Sequence, residues 1–123
     1  MAVRYGSLCI PFVFLLASCW QQDVARSYYP SGAIKSEARI KHGLLDGASI
    51  TYFEDGLVKS GAIYSEGLLE GRSFENYPDG SIKAEAFYVS GVLDGVSSRW
   101  GQDGSLTCSV IFVQGIINGD DPC

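Results

Sequence analysis

Residues 43–47, Gly-Leu-Leu-Asp-Gly, recur as Gly-Leu-Leu-Glu-Gly at 67–71 and as Gly-Val-Leu-Asp-Gly at 91–95, with the same spacing each time. Self-similarity at one fixed period indicates stacked copies of a single supersecondary unit. A second column of glycines ends a polar turn in each copy and keeps the same period: Gly32, Gly56, Gly80 and Gly104. The sequence therefore predicts a repeat protein, with three full copies from residue 28 and a last copy from residue 100.

Between the turns, apolar or small side chains alternate with polar ones, as they do from Ile34 to Lys41 in the first copy. Alternation with a period of two is typical of a strand that buries one face. The short turn before Leu44 holds two residues and ends in glycine, which adopts positive φ without steric cost. We therefore predict an all-β fold, an elongated antiparallel meander of stacked β-hairpins with about four 24-residue repeats, in which the face that includes Ile34 is the core.

The length of the short turns predicts which residues face each other across a hairpin. In the first copy, paired positions have numbers that add to 85, which places Asp46 opposite Arg39 as an exposed ion pair. In the last copy the same rule places Cys108 opposite Asp121, with Cys123 as a diagonal neighbour. A diagonal separation is longer than a disulfide prefers. A bond between the two cysteines would therefore need a shift of the terminus.

Residues 1–18 have the pattern of an export signal. Arg4 precedes an apolar run of about ten residues, which is shorter than the roughly 20 that span a membrane but has the length of a secretory signal core. Small residues then lead to Cys19. The segment resembles a bacterial lipoprotein signal, which implies cleavage before Cys19, acylation of its thiol and amine, and a lipid anchor in a bacterial membrane. The alternative is an ordinary signal peptide or an uncleaved anchor.

This resemblance also predicts the organisation of the chain. Residues 1–18 form the signal peptide, residues 19–27 an acylated tether, and residues 28–123 the repeat domain. Trp20 follows the acylated cysteine where an aspartate would mark retention in the inner membrane, so the outer membrane is favoured if the host is Gram-negative.

The charge balance and the cysteines constrain the function further. Loss of the leader removes Arg4 and leaves eight basic against 14 acidic side chains, a net charge of −6. An acidic chain does not suit nucleic acid, whose binders are basic. Beyond Cys19, the cysteines are Cys108 and Cys123, in a compartment that permits disulfides. We predict a disulfide between them, with a buried free thiol at Cys108 as the alternative.

At its turns the chain resembles the MORN-repeat-variant family. The resemblance rests on the Tyr-x-x-Gly turns at 29–32 and 77–80 and on the recurring Gly-x-Leu-acid-Gly segments, and it covers residues 28–119. It implies a meander of stacked hairpins. Relatives are often labelled as antitoxins, and MORN repeats elsewhere look like scaffolds or lipid-contacting modules. The fourth copy departs from the pattern at Gly101 and Thr107, as terminal caps often do.

Few residues offer catalytic or metal-binding chemistry. The one histidine, His42, lies in a short turn, so a catalytic triad or a His-rich metal site is nearly excluded. Asp46, Glu70 and Asp94 form a ladder, but neighbours are separated by two strands, roughly 10 Å at about 4.8 Å per strand. That distance is too long for one cation or for a glycosidase acid pair. We therefore expect no enzyme activity, no metal and no cofactor.

The face opposite the predicted core becomes apolar toward the C-terminus. In the first copy it carries lysine, arginine and glutamate, whereas the later copies place apolar side chains there: Ile63, Phe87, Val89, Ile111 and Val113. Monomers rarely leave a contiguous apolar patch of several hundred Å² exposed. We predict that these residues form a docking or self-association surface. The alternative is that the sheet curls or that the C-terminal tail covers them.

These observations favour one class of function over two others. The prediction is a membrane-anchored lipoprotein that acts as a non-catalytic protein-binding or scaffold module, with a protein partner in the cell envelope. The first alternative is an antitoxin or immunity protein that neutralises a toxin partner through the same surface. The second is an enzyme that acts on a cell-envelope polysaccharide, and no converging polar site in the sequence supports it.

Overall fold

The computed structural model describes residues 4–5, 23–120 and 123, whose strands form one antiparallel sheet. The strands are β1 (Arg4–Tyr5), β2 (Asp23–Tyr28), β3 (Ile34–Lys41), β4 (Leu44–Tyr52), β5 (Val58–Ser65), β6 (Leu68–Asn76), β7 (Ile82–Val89), β8 (Val92–Leu93), β9 (Gly95–Trp100), β10 (Leu106–Val113) and β11 (Ile116–Ile117). No helix in these ranges is long and apolar enough to cross a membrane. The predicted all-β meander of hairpins is confirmed.

Strand order in the sheet follows the chain from β1 to β11, so each strand lies beside its sequence neighbours. Strands β8 and β9 are two parts of one return strand, because both pair with β7 and only Asp94 separates them. All pairings are antiparallel. The sheet is therefore an open meander in which every repeat contributes one outgoing and one return strand.

The short turns have the backbone that two-residue hairpins favour. At the first, His42 and Gly43 have φ of 51° and 79°, and positive φ at both central residues is the mark of a type I′ turn. Three later turns repeat this backbone with a different residue before the glycine: Glu66, Ser90 and Gln114. Glycine at the second position therefore fixes the turn type, while the first position tolerates several polar residues.

An aromatic residue holds the long turn that precedes an outgoing strand in each of the first three copies. The Tyr29 hydroxyl donates a hydrogen bond to the Tyr52 carbonyl oxygen over 2.8 Å, and the Lys35 Nζ lies 5.7 Å from the Tyr29 ring centre. The cation contact recurs at 5.9 Å between Lys59 and Phe53 and between Lys83 and Tyr77. In the fourth copy Gly101 and Thr107 replace the aromatic residue and the lysine, so both partners of the contact are lost together.

The return strand of each of the first three copies contains a bulge that the sequence prediction missed. Ile40 pairs with Leu45, as the sum of 85 requires, but the next pair is Ala38 with Ser49, whose numbers add to 87. Gly47 lies within this irregularity with φ of 106°, a conformation that favours glycine. Beyond the bulge, on the side away from the short turn, the pairing in these hairpins is therefore shifted by two positions from the expected register.

The sheet also starts earlier than the predicted domain boundary at residue 28. Strand β2 begins at Asp23 and pairs with β3, so most of the segment expected to be a tether is a strand. The repeat itself explains this, because β2 lies one repeat period before 47–52 and is the return strand of an incomplete preceding hairpin. Strand β1, within the predicted leader, pairs with the outer side of β2, and cleavage before Cys19 would leave β2 as the edge.

The described residues form a single layer without a conventional core. Only Gly61, Ser98 and Val110 are buried among them. The face with Ile34, predicted to be the core, carries Val110, the one buried apolar side chain among the described residues, whereas Ile34 itself is 39% exposed. A sheet buries an apolar face only against a second layer, and the described strands supply none. Cross-strand contacts within the layer therefore hold the fold together.

Candidate protein-binding surface

The register assigns the side chains of the sheet to two faces. One face carries small residues along a row that crosses the strands, formed by Ala25, Ala38, Ser49, Ala62, Ser73, Ala86, Ser97 and Val110. The other face carries the residues at odd positions of β3 and β5, such as Glu37 and Ile63. We call these the small-residue face and the mixed face.

All five residues predicted to form a docking surface lie on the mixed face and are exposed to solvent. Their side chains range from 36% exposed, at Phe87, to 50% exposed, at Val89. The predicted set comes from the outgoing strands β5, β7 and β10. Because the described residues include no covering layer, these side chains face open solvent at the C-terminal half of the sheet.

The return strands extend this set with residues that the sequence prediction left out. Val92 pairs with Val89, Val96 with Ile111, and Ile116 with Val113. Directly paired residues share a face of the sheet, and the three added side chains are exposed, Ile116 by 73%. The pairing across the short turns, which follows from the turn length, would have placed Val92 and Ile116 on this face. The apolar surface comprises Ile63, Phe87, Val89, Val92, Val96, Ile111, Val113 and Ile116.

Toward the N-terminus the mixed face carries more polar side chains, and Glu37 is paired there. The Arg26 Nε donates a hydrogen bond to Glu37 Oε1 over 2.6 Å, and the Tyr52 hydroxyl donates to Glu37 Oε2 over 3.2 Å. The hydrogen bond from Arg26 holds the pKa of Glu37 below its ordinary value. Partial burial, together with the bond to Glu37, raises the pKa of Tyr52. The apolar surface therefore ends where this ion-paired region begins.

Phe74 and Arg72 lie on β6, between Ile63 on β5 and Phe87 on β7. The Phe74 ring covers Gly61, where a Cβ atom would lie only 2.6 Å from the ring. Arg72 places its guanidinium 4.5 Å from the ring centre and forms an ion pair with Glu85. The stacked side chains therefore separate Ile63 from the other residues of the apolar surface.

The small-residue face carries a shallow groove of about 510 Å³ near the C-terminal half of the sheet. Its lining combines the aromatic rings of Tyr88 and Phe112 with small residues and with the charged Glu75 and Arg99. Glu75 is already engaged, because its Oε1 accepts a hydrogen bond from Lys83 over 2.9 Å. The Glu75 carboxylate in this groove is therefore already neutralised by a lysine.

The acidic ladder stabilises turns. The Asp46 Oδ2 accepts a hydrogen bond from the backbone N–H of Glu66 over 3.3 Å, and the Glu70 Oε2 accepts one from the N–H of Ser90 over 2.6 Å. Asp46 and Glu70 thus each cap the short turn of the next hairpin. The expected ion pair between Asp46 and Arg39 is wrong, because the bulge directs the carboxylate toward the neighbouring hairpin.

The remaining candidate residues are placed as follows. His42 is an exposed turn residue. Among residues 4–5, 23–120 and 123, no cluster of three His, Cys, Asp or Glu side chains could hold a metal ion. Cys19, the predicted acylation site, lies outside the described residues.

The structure joins Cys108 and Cys123 in a disulfide, with their Cα atoms 5.5 Å apart. The repeat period explains how the two residues meet. In the three earlier copies, the residues that pair at this position are Ser36 with Thr51, Ser60 with Glu75, and Ala84 with Arg99. One repeat period beyond the last of these pairs lie Cys108 and Cys123. The diagonal relation expected from the sequence is therefore replaced by a direct one.

Comparison with known proteins identifies the repeat. The MORN repeat variant model matches residues 24–42 and 69–90. Each match covers a return strand, a long turn and the outgoing strand that follows. No curated protein and no solved structure matches the chain. The chain thus carries MORN repeat variants at two stretches, and an array of such repeats fits a non-catalytic scaffold role.

Proposed function

We propose that this protein is a non-catalytic binding module, held at a bacterial membrane by a lipid on Cys19, whose apolar surface docks a partner protein of the cell envelope. The observation that carries the proposal is the exposure of eight apolar side chains on one face of a single-layer sheet. Exposed apolar patches of this kind mark interaction sites.

The polar residues support a role without catalysis. Two acids of the ladder, Asp46 and Glu70, accept hydrogen bonds from turn N–H groups, and the single histidine is exposed in a turn. An active site needs a nucleophile, an acid or base and a group that orients them within hydrogen-bond reach. The described residues present no such group of side chains.

The net charge of the chain indicates which kind of partner protein would complement it. The mature protein would carry a net charge of −6, while the apolar surface itself contains no charged side chain. A fitting partner is a protein with an apolar patch and a neutral or basic rim, because charge complementarity speeds association and suppresses wrong partners. Nucleic acid does not fit this surface.

The test is a cross-linking pull-down from intact cells that express the full-length protein. Phe87→Ser/Ile111→Ser removes two large side chains from the apolar surface. Ile34→Ser/Leu57→Ser is the matched control, because it removes two similarly exposed apolar side chains elsewhere. We expect one dominant envelope protein with the wild type and the control, and its loss with the first variant. Equal recovery from both variants would refute docking at this surface.

The anchor needs a separate measurement. Cys19→Ala is expected to move the protein from the membrane fraction to the soluble fraction while the repeat sheet still folds. Retention of the variant in the membrane would contradict the lipid anchor and would leave the docking proposal intact. The identity of the recovered partner then separates a scaffold from a protein that neutralises a toxin.

A further inference from the structure

A ridge of large apolar side chains runs along the small-residue face beside the short turns. Ile40 stands two positions from Ala38 in β3, so both side chains lie on this face. The residue pairs next to the four short turns continue the same line, because directly paired residues share a face. We call these residues the apolar ridge: Ile40, Leu45, Tyr64, Leu69, Tyr88, Leu93, Phe112 and Ile117.

A depression lies beside the apolar ridge, and we call it the valley. Its floor is the row of small residues from Ala25 to Val110 together with the next row away from the short turns. That second row consists of Ser27, Ser36, Thr51, Ser60, Glu75, Ala84, Arg99 and Cys108. The groove of about 510 Å³ lies in the C-terminal half of the valley, with Tyr88 and Phe112 of the ridge in its wall. A ridge and a valley therefore run side by side across the strands.

The apolar ridge is only half-buried within the single layer. Tyr64, Tyr88 and Phe112 keep part of their surface exposed to solvent, and Ile117 is 39% exposed. A sheet buries such a face against a second layer, and the described strands form one layer only. The small-residue face therefore carries the side chains of a core without an opposing sheet.

We propose that a second copy of the chain supplies the opposing sheet, with the apolar ridge of each copy packed in the valley of the other. The two-fold axis lies between the two sheets, parallel to the direction in which the repeats follow one another. Rotation about this axis keeps the order of the repeats and reverses the strands, so each ridge passes over the valley of the second copy. An axis parallel to the strands would instead place ridge against ridge. The face is thus self-complementary, as a two-fold dimer requires.

The area of this face is sufficient for such a dimer. From β2 to β10, the ridge and the two rows of the valley measure roughly 35 by 20 Å, at about 4.8 Å per strand and about 3.3 Å per residue. The resulting area of roughly 700 Å² per copy, which interdigitation increases, is close to the about 800 Å² per partner of a standard interface. Aligned packing of two sheets is also the usual arrangement of a β-sandwich.

Charged side chains lie at the margins of this contact. Among the described residues of the three rows, they are Asp23 at the β2 end of the ridge, and Glu75 and Arg99 in the row farther from the ridge. Glu75 accepts a hydrogen bond from Lys83, and Arg99 is exposed. Interfaces place polar residues at a solvent-accessible rim around a more apolar centre. These charges therefore do not oppose the packing.

The dimer leaves the apolar surface free for the partner protein of the proposed function. The small-residue faces of the two copies are turned toward each other, so both mixed faces point outward. Because the axis keeps the order of the repeats, strand β2 of both copies lies at the same end. Two anchors that precede β2 can therefore reach one membrane, a point that rests on the proposed lipid on Cys19.

The experiment measures the mass of the full-length, detergent-solubilised protein by sedimentation over a range of concentrations. Ala62→Arg/Ala86→Arg places four positive charges between the two sheets, in the valley. Ile63→Arg/Phe87→Arg is the matched control, because it adds the same side chains at the adjacent positions of the same strands, on the mixed face. We expect a dimer for the wild type and the control, and half that protein mass for the valley variant. A monomeric wild type, a dimeric valley variant or a monomeric control would overturn the proposal.

Thiol cross-linking tests the direction of the two-fold axis with smaller substitutions. Under the proposed axis, Ala25 on β2 and Ser97 on β9 each face the same strand of the second copy. Ala25→Cys and Ser97→Cys should therefore each form a covalent dimer with a short bismaleimide and double the mass on a denaturing gel. Val96→Cys, next to Ser97 but on the mixed face, should stay at the monomer mass. Failure of either valley variant to link, or equal linking of Val96→Cys, would refute the arrangement.

Discussion

Substitution of Gly61 by alanine provides a sharp test of the cross-strand packing on the mixed face. Gly61 is buried, its φ is outside the positive region, and Phe74 covers it from the paired strand β6. A Cβ atom at this position would lie 2.6 Å from Phe74 Cε1 and 2.8 Å from Cζ. The ring must therefore move in Gly61→Ala, and the backbone conformation gives no reason for strain.

The expected loss of stability in Gly61→Ala follows from two contacts. Overpacking of this kind costs about 1–3 kcal/mol. Displacement of the ring also weakens the Arg72 guanidinium contact at 4.5 Å, which contributes about 0.5–1 kcal/mol at an exposed site. The expected decrease in the free energy of unfolding is therefore about 1.5–4 kcal/mol. For a domain of roughly 100 residues, each kcal/mol lowers the melting temperature by about 4–8 °C.

The assay is a double-mutant cycle in urea, followed by circular dichroism. Gly61→Ala is introduced into the wild type and into Phe74→Ala, where the ring is absent. In the Phe74→Ala background, the alanine at position 61 meets no ring and reduces the entropy of the unfolded chain. The substitution should therefore be neutral or raise the free energy of unfolding by about 0.4–1 kcal/mol. Equal destabilisation in both backgrounds, or none in the wild type, would refute the packing argument.

Three other changes test the acid network, the turn caps and the C-terminus. Glu37→Gln should lower stability at pH 7. The pKa of the Glu37 carboxyl is lowered in the folded protein. The extra stability of the wild type over Glu37→Gln should therefore disappear as the pH falls from about 4.3 through the folded pKa, and the urea midpoints of the two proteins should converge in acid. Glu70→Ala should cost about 0.5–1.5 kcal/mol by removing the bond to the Ser90 N–H, and hydrogen exchange at that N–H should accelerate. Reduction of the disulfide, whose cysteines have a sequence separation of 15, should lower the free energy of unfolding by up to about 3 kcal/mol, and an unchanged urea midpoint would contradict a structural role.

The apolar surface was only partly predictable from the sequence. Alternation along the outgoing strands was sufficient to find Phe87 and Ile111, because side-chain direction within one strand depends only on the period of two. Val96 was not found, since its face depends on the pairing beyond the bulge. The absence of a second layer among the described strands was also unpredicted, because alternation looks the same whether the apolar face is covered or open.

The early start of the sheet has a similar explanation. Strand β2 lacks the glycine-marked short turn that identifies the other return strands, so the repeat pattern is evident in the sequence only from Tyr28. Its position one repeat period before the return strand of the next hairpin was a usable signal. Pairing with β3 then provides the hydrogen bonds that make this segment a strand.

The sequence by itself determined the period, the strand type and both kinds of turn, because each depends on local backbone preference. Glycine at positive φ and alternation of apolar residues act within a few residues of each other. Only the tertiary structure decided the register beyond each bulge. The backbone N–H of Gly67 donates to the Leu45 carbonyl oxygen over 2.8 Å, and Asp46 caps the same neighbouring turn. The next hairpin thereby holds the shift of two positions in place. Cys108 and Cys123, which the disulfide joins, lie one repeat period beyond Ala84 and Arg99, which pair through that shift.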